Sequence, residues 1–172
     1  MIIVRPASIT DLPRITEIHN YYVQNTHIVF DVRPFSPEQR VRWFNEHTDD
    51  GRHRILVAED QDKKIAGYTA SGAFRNKEAY ETTVEVSIAC SPESVNKGIG
   101  SLLYQSLFSL LSQEDVHRIV AGIAQPNQAS NALHARFGFQ KVGTFTQVGR
   151  KFGKFWDVLW MEKSMFDSRT TH

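Results

Sequence analysis

At 172 residues, 41% hydrophobic and 23% charged, the chain has the length of one globular domain and enough apolar residues to bury a core without staples. A formal net charge of +1 excludes the electrostatic footprint of a bulk DNA or RNA binder, so no nucleic-acid partner is expected. The single cysteine, Cys90, excludes an intrachain disulfide and an all-cysteine zinc site; no metal is expected, and a reducing, cytoplasmic setting fits.

The opening MIIVRPASITDLPRI has no continuous apolar stretch of the signal-peptide kind, and its residues 2–5 read as a short strand that stops at Pro6. Thr10 is expected to cap a helix carrying Leu12, Ile15, Ile18 and Tyr22 at helical spacing. Ser36, followed by Pro37 and Gln39, has the form of a capping box and starts a second helix. Residues 54–59 and 64–74 form a hairpin around the polar turn 60–63, and 82–90 is the next strand. Leu103, Leu107, Leu110 and Leu111 give the stripe of an amphipathic helix running to about Gln113. A buried strand follows over 118–124, then a short helix over 127–137 ended by Gly138. Strands 140–146 and 155–163 close the chain around a loop over 149–154. No segment approaches the roughly 20 apolar residues of a membrane span. Residues 1–166 are thus read as one domain, with 167–172 as a flexible tail.

The most informative stretch is Val84 to Ser101, VEVSIACSPESVNKGIGS. An apolar strand runs into a polar turn, and a glycine-rich loop then opens a helix. Gly98 and Gly100 let backbone approach a ligand closely, and the first N–H groups of the helix have no partners inside it. Such a turn suits a diphosphate.

This order of elements, with the segment Gln125-Pro126-Asn127 through Leu133-His134-Ala135-Arg136-Phe137-Gly138-Phe139, resembles the GCN5-related N-acetyltransferase (GNAT) superfamily. Thr26 to Asp31, Ala79-Tyr80, Thr83-Val84-Glu85 and Gly149 to Asp157 resemble its phosphinothricin and methionine sulfoximine acetyltransferase branch. The resemblance implies an α/β fold with a mixed, mostly antiparallel twisted sheet and helices on both faces. It implies acetyl-CoA as co-substrate, a small amine as acceptor, and a homodimer. The diphosphate would lie against Asn96, Lys97, Gly98, Ile99, Gly100 and Ser101, although Val95 stands where the family usually has Gln or Arg. The pantetheine arm would pair like a strand with Ile88, Ala89 and Cys90, and Asn127 and Ser130 would contact it from the far side.

Acyl transfer to an amine needs a base, an oxyanion donor and a proton for the departing thiolate. Glu85 matches the branch's base, and burial between Val84 and Val86 would raise its pKa above the usual value of about 4.3. His134 occupies the position, four before Gly138, where much of the superfamily has a proton-donating tyrosine. The oxyanion would lean on a backbone N–H near Ile88. Phe30, Arg75, Asn76 and Lys77, with Val86 and Ser87 beside Glu85, form the expected acceptor site, the cations implying an anionic or strongly polar head. Tyr80 and Trp156 would join Phe30 as an apolar wall, and Thr82 leaves room where some relatives carry tryptophan. Arg150, Lys151 and Lys154 read as a solvated loop.

Other readings are a Cys90 nucleophile served by His134, a P-loop, and a non-catalytic acyl-CoA sensor. No motif of a cysteine-enzyme family surrounds Cys90. The P-loop spacing is absent. Acceptors other than an amino-acid analogue remain open, a protein N-terminus or a polyamine among them.

Overall fold

The computed structural model describes residues 2–95 and 97–166. Seven strands and four helices follow one another as β1 (Ile3–Pro6), α1 (Leu12–Asn25), α2 (Pro37–Asn45), β2 (Ile55–Glu59), β3 (Ile65–Ala73), β4 (Thr83–Cys90), α3 (Ile99–Leu111), β5 (Arg118–Ala124), α4 (Gln128–Arg136), β6 (Gln140–Lys151) and β7 (Lys154–Ser164). They form one sheet in the order β1-β2-β3-β4-β5-β7-β6. All neighbours are antiparallel except β4 and β5. The mixed, mostly antiparallel sheet is the one the resemblance implies.

Alternation along the strands splits the apolar residues between two faces. Ile55 and Val57 of β2 face one way and meet Leu12, Ile15 and Ile18 of α1, with Trp43 and Phe44 of α2 packed at the margin. Leu56 and Ala58 face the other way and join Leu103, Leu107 and Leu111 of α3. Helices therefore cover both faces. Tyr22, on the same helical stripe, is half-buried and packs against this cluster, and Val23 is the fully buried residue near the end of α1.

Two local expectations need correction. Thr10 does not cap α1: a turn of 3-10 helix at Ile9–Asp11 precedes it, and the Asp11 carboxylate accepts the Ser8 N–H at 2.7 Å. Asp11 is held there by a bidentate pair with Arg5, at 2.7 and 2.9 Å, which fixes its role more firmly than a hydroxyl would. At Ser36 the capping box forms as expected, with reciprocal bonds of 3.2 and 2.8 Å to Gln39.

The second correction concerns residues 149–154. They are strand almost throughout, Arg150 pairing with Phe155 and Lys151 with Lys154. Only Phe152 and Gly153 turn the chain, at φ of 53° and 70°, the geometry of a two-residue hairpin. Lys151 is correspondingly buried, not solvated. A basic, glycine-containing run looks like a loop in one dimension; pairing across the hairpin decides otherwise.

Candidate active site

Among the described residues the β4–β5 pair is the one parallel contact in the sheet, and it is short. Thr83 pairs with Arg118, Val84 with Ile119 and Glu85 with Val120. Beyond Glu85 the strands part. Residues 86–90 stay paired to β3, residues 121–124 stay paired to β7, and each leaves an unpaired backbone edge facing the other. A free edge can accept an extended ligand as an extra strand.

A groove of about 700 Å³ follows this split. It is walled by Glu85 to Cys90 on one side and Ala121 to Ala124 on the other, with Gly98, Ile99, Gly100 and Ser101 at one end. Gly98 has φ of 77°, a conformation costly for residues with a Cβ, and it brings the chain round to begin α3. Leu102 N–H already bonds the Gly98 carbonyl at 3.2 Å, so the amides just before it form the open N-terminus of the helix. Arg136, whose Nη1 donates to Ser101 Oγ at 3.1 Å, adds a cation beside those amides. An anion is favoured at this end.

Val84 and Val86 lie in the α3-side core, so alternation sends Glu85 and Ser87 to the α1 side of the sheet. Glu85 occupies the last paired position before the strands part. Burial raises its pKa, and the nearby Arg75 charge works in the opposite direction. This is a carboxylate poised to take up a proton.

His134 reaches the groove from the opposite, α4 side and is almost fully buried at 2% exposure. Its Nδ1–H donates to the Ser130 carbonyl at 2.8 Å, which leaves Nε2 to accept from the Tyr104 hydroxyl at 2.9 Å. Burial lowers its pKa and the Ser130 bond only partly offsets that. The imidazole is therefore neutral at rest, with both nitrogens engaged. Tyr104 and Arg136 line the groove although sequence reasoning passed over them. Tyr104 reads as one more apolar position of α3, and nothing in the chain order places it opposite a residue thirty positions away.

Cys90 also lines the groove, where burial raises its pKa despite the Gly100 N–H directed at it. A protonated, inert thiol is the result, which argues against the nucleophile reading.

Most of the sequence-derived site residues meet here. Glu85, Val86, Ser87, Ile88, Ala89, Cys90, Gly98, Ile99, Gly100, Ser101, Asn127, Ser130 and His134 all line the groove. Lys97 is exposed beside it, and Asn96 lies outside the described residues, as does the expected tail. Arg75, Asn76 and Lys77 instead line a separate hollow with Arg52, His53 and Tyr80, and only the charge of Arg75 is felt at Glu85. Phe30 is not in the groove wall; its ring packs on Gly149. Trp156 is stacked on His27, with centroids 4.2 Å apart, so the apolar wall expected from Phe30, Tyr80 and Trp156 does not form at the groove. Ile28 and Val29 supply apolar lining from the same segment as Phe30.

A family model described as an acetyltransferase (GNAT) domain matches residues 4–160. The chain belongs to the GNAT acetyltransferase family. This GNAT domain is 51% identical over 163 residues to a phosphinothricin N-acetyltransferase of Streptomyces coelicolor, covering 94% of this chain and 95% of that protein. It is 35% identical over 167 residues to an L-methionine sulfoximine/L-methionine sulfone acetyltransferase of Pseudomonas aeruginosa, covering 97% and 96%. Among solved structures, a GNAT superfamily phosphinothricin acetyltransferase from Sinorhizobium meliloti in complex with AcCoA superposes with a TM-score of 0.92 at 32% identity, over 99% of this chain and 92% of that one.

Proposed function

We propose that this GNAT domain transfers the acetyl group of acetyl-CoA to the α-amine of a small amino-acid analogue of the phosphinothricin or methionine sulfoximine type. The observation that carries the reading is Glu85, a desolvated carboxylate seated where β4 and β5 part. The split fits the co-substrate. Its unpaired β4 edge suits the amides of a pantetheine arm, and the open amides before Leu102, with Arg136, suit a diphosphate.

Glu85 takes a proton from the acceptor ammonium, directly or through one water, and the free amine attacks the thioester carbon. The oxyanion is stabilised by an N–H of the open β4 edge, a type of donor often worth about 3–4 kcal/mol. Collapse breaks the carbon–sulfur bond and leaves the thiolate. His134 is assigned to relay to it the surplus proton of the attacking nitrogen, which the tetrahedral adduct sheds as it becomes an amide, so the products are the N-acetylated amine and the free thiol. The Tyr104 hydroxyl donates to Nε2 in the neutral imidazole and, by rotation, accepts from Nε2–H once a proton arrives. Because burial lowers the His134 pKa, the charged imidazole gives its proton readily to a thiolate.

The acceptor approaches from the α1 side, where the charge of Arg75, which reaches Glu85 from the neighbouring hollow, favours an anionic head. The protein is read as cytoplasmic and as a homodimer. For the latter, Val142, Phe145, Val148 and Phe155 of the outermost hairpin are exposed, an apolar edge suited to a second copy. Sedimentation at micromolar concentration should give twice the mass of 19.7 kDa, and a monomer would refute this assignment.

The functional test is release of free CoA thiol with phosphinothricin, methionine sulfoximine, ordinary amino acids, a polyamine and a short peptide side by side. Turnover confined to the amino-acid analogues supports the reading. Peptide or polyamine turnover would replace it, and acetyl-CoA binding without turnover on any acceptor would favour a sensor.

A further inference from the structure

The segment joining α1 to α2 crosses the α1-side mouth of the groove as a strap, and every anchor that holds it comes from elsewhere in the chain. Ile28 and Val29 contribute to the groove wall. His27 donates from Nε2 to the Pro126 carbonyl at 2.9 Å and stacks on Trp156. Phe30 presses its ring onto Gly149, where any Cβ would overlap the ring atoms. Asp31 meets His19 Nε2 at 3.1 Å, and that bond, with its charge, pulls the Asp31 pKa down. At the centre, Lys151 reaches from the end of β6 and donates from Nζ to the Val29 carbonyl at 2.6 Å.

A lysine only 4% exposed that ends on a backbone carbonyl is an expensive arrangement. Among the described residues Nζ forms no salt bridge within 4 Å; the charge of Asp31 acts on it from farther away. The backbone around it is fixed as well: the Trp156 indole N–H donates to the Lys151 carbonyl at 3.0 Å, and the two-residue turn follows at once. Retaining a desolvated cation here makes sense if what it holds must be held in one place. What it holds is the carbonyl of a groove-lining residue.

We propose that Lys151 is a positioning residue for the acceptor: its ammonium clamps the Val29 carbonyl and sets the distance of the strap from the Glu85 side of the groove. The inference rests on the functional reading above. It gives Lys151 no contact with acetyl-CoA and no proton to transfer. The clamp acts through Val29 and Ile28, so its loss widens the acceptor side and leaves the open β4 edge and the α3 amides unaltered.

The test uses the full chain with Lys151→Met, which keeps the length of the side chain and removes the ammonium, and with Gly149→Ala, which displaces Phe30 from the same strap by a different contact. Hydrogen exchange of the amides at 27–31 is expected to quicken in both, with β3 and α3 unchanged. Acceptor KM is expected to rise roughly tenfold, with kcat and the acetyl-CoA KM each within about twofold of wild type. Unchanged exchange at 27–31 in Lys151→Met overturns the clamp, and exchange that quickens across the whole sheet overturns it too, since a merely structural lysine would do that. A fall in kcat with acceptor KM unmoved overturns the positioning role. A wild type that acetylates none of the amines overturns the functional reading, and the acceptor role with it, whatever exchange shows.

Discussion

Removing one hydroxyl, in Tyr104→Phe, separates the packing role of Tyr104 from its polar role. Tyr104 is fully buried among Phe108, Phe137 and His134, and phenylalanine fills the same space, so no cavity opens. What changes is His134 Nε2. Its Nδ1–H remains committed to the Ser130 carbonyl, so Nε2 stays an acceptor and has lost its donor in a site that is 2% exposed. An unsatisfied buried acceptor costs about 1–3 kcal/mol. For a domain of this size each kcal/mol lowers Tm by about 2–4 °C, so a fall of several degrees is expected by calorimetry. The double variant Tyr104→Phe/His134→Leu removes both partners and should cost less than the sum of the two single changes, because no orphaned polar atom remains. An unchanged Tm in the single variant would show that the Tyr104–His134 bond carries no weight. Strict additivity in the cycle would show that the two side chains act independently, and the paired proton path would fall with it.

Two further predictions concern Glu85. As the base it must be ionised, so kcat/KM should be present above its pKa and lost below it, with the acid limb lying above the ordinary carboxylate range because burial raises that pKa. Its native pKa exceeds the unfolded value, so the native state binds more protons between the two and stability falls as pH rises through that window. Glu85→Gln should therefore depress turnover at neutral pH by roughly two to four orders of magnitude while leaving Tm at pH 7 equal or higher, and retained turnover with a normal acid limb would remove Glu85 as the base. Arg75→Ala removes a charge that favours ionised Glu85, so the acid limb should move to higher pH while acceptor KM rises and the acetyl-CoA KM is spared. An acid limb that stays in place would disconnect the two residues.

The groove's near wall was legible because its information is local. Strand, turn, Gly98 and helix stand next to one another in the chain, and alternation between Val84 and Val86 fixes which way Glu85 faces. The acceptor side was read less well. Phe30 and Trp156 belong there by resemblance, yet one is spent against Gly149 and the other against His27, contacts that span more than a hundred positions. Lys151 shows the reason most plainly. A lysine in a run of basic and glycine residues is soluble by every local criterion, and it is buried because hairpin pairing carries it under a strap 122 residues away.

By itself the sequence determined the order of elements, most helical and strand faces and the glycine turn that opens α3, which follow from periodicity and from backbone chemistry within a few residues, while resemblance to the branch singles out Glu85 as the candidate base. Only the tertiary structure decided where β4 and β5 stop pairing, that Glu85 and His134 enter from opposite faces of the sheet, and which side chains are spent on holding the strap. Those outcomes depend on packing between segments distant in the chain. There, burial sets both the charge state of a residue and the partner that satisfies it.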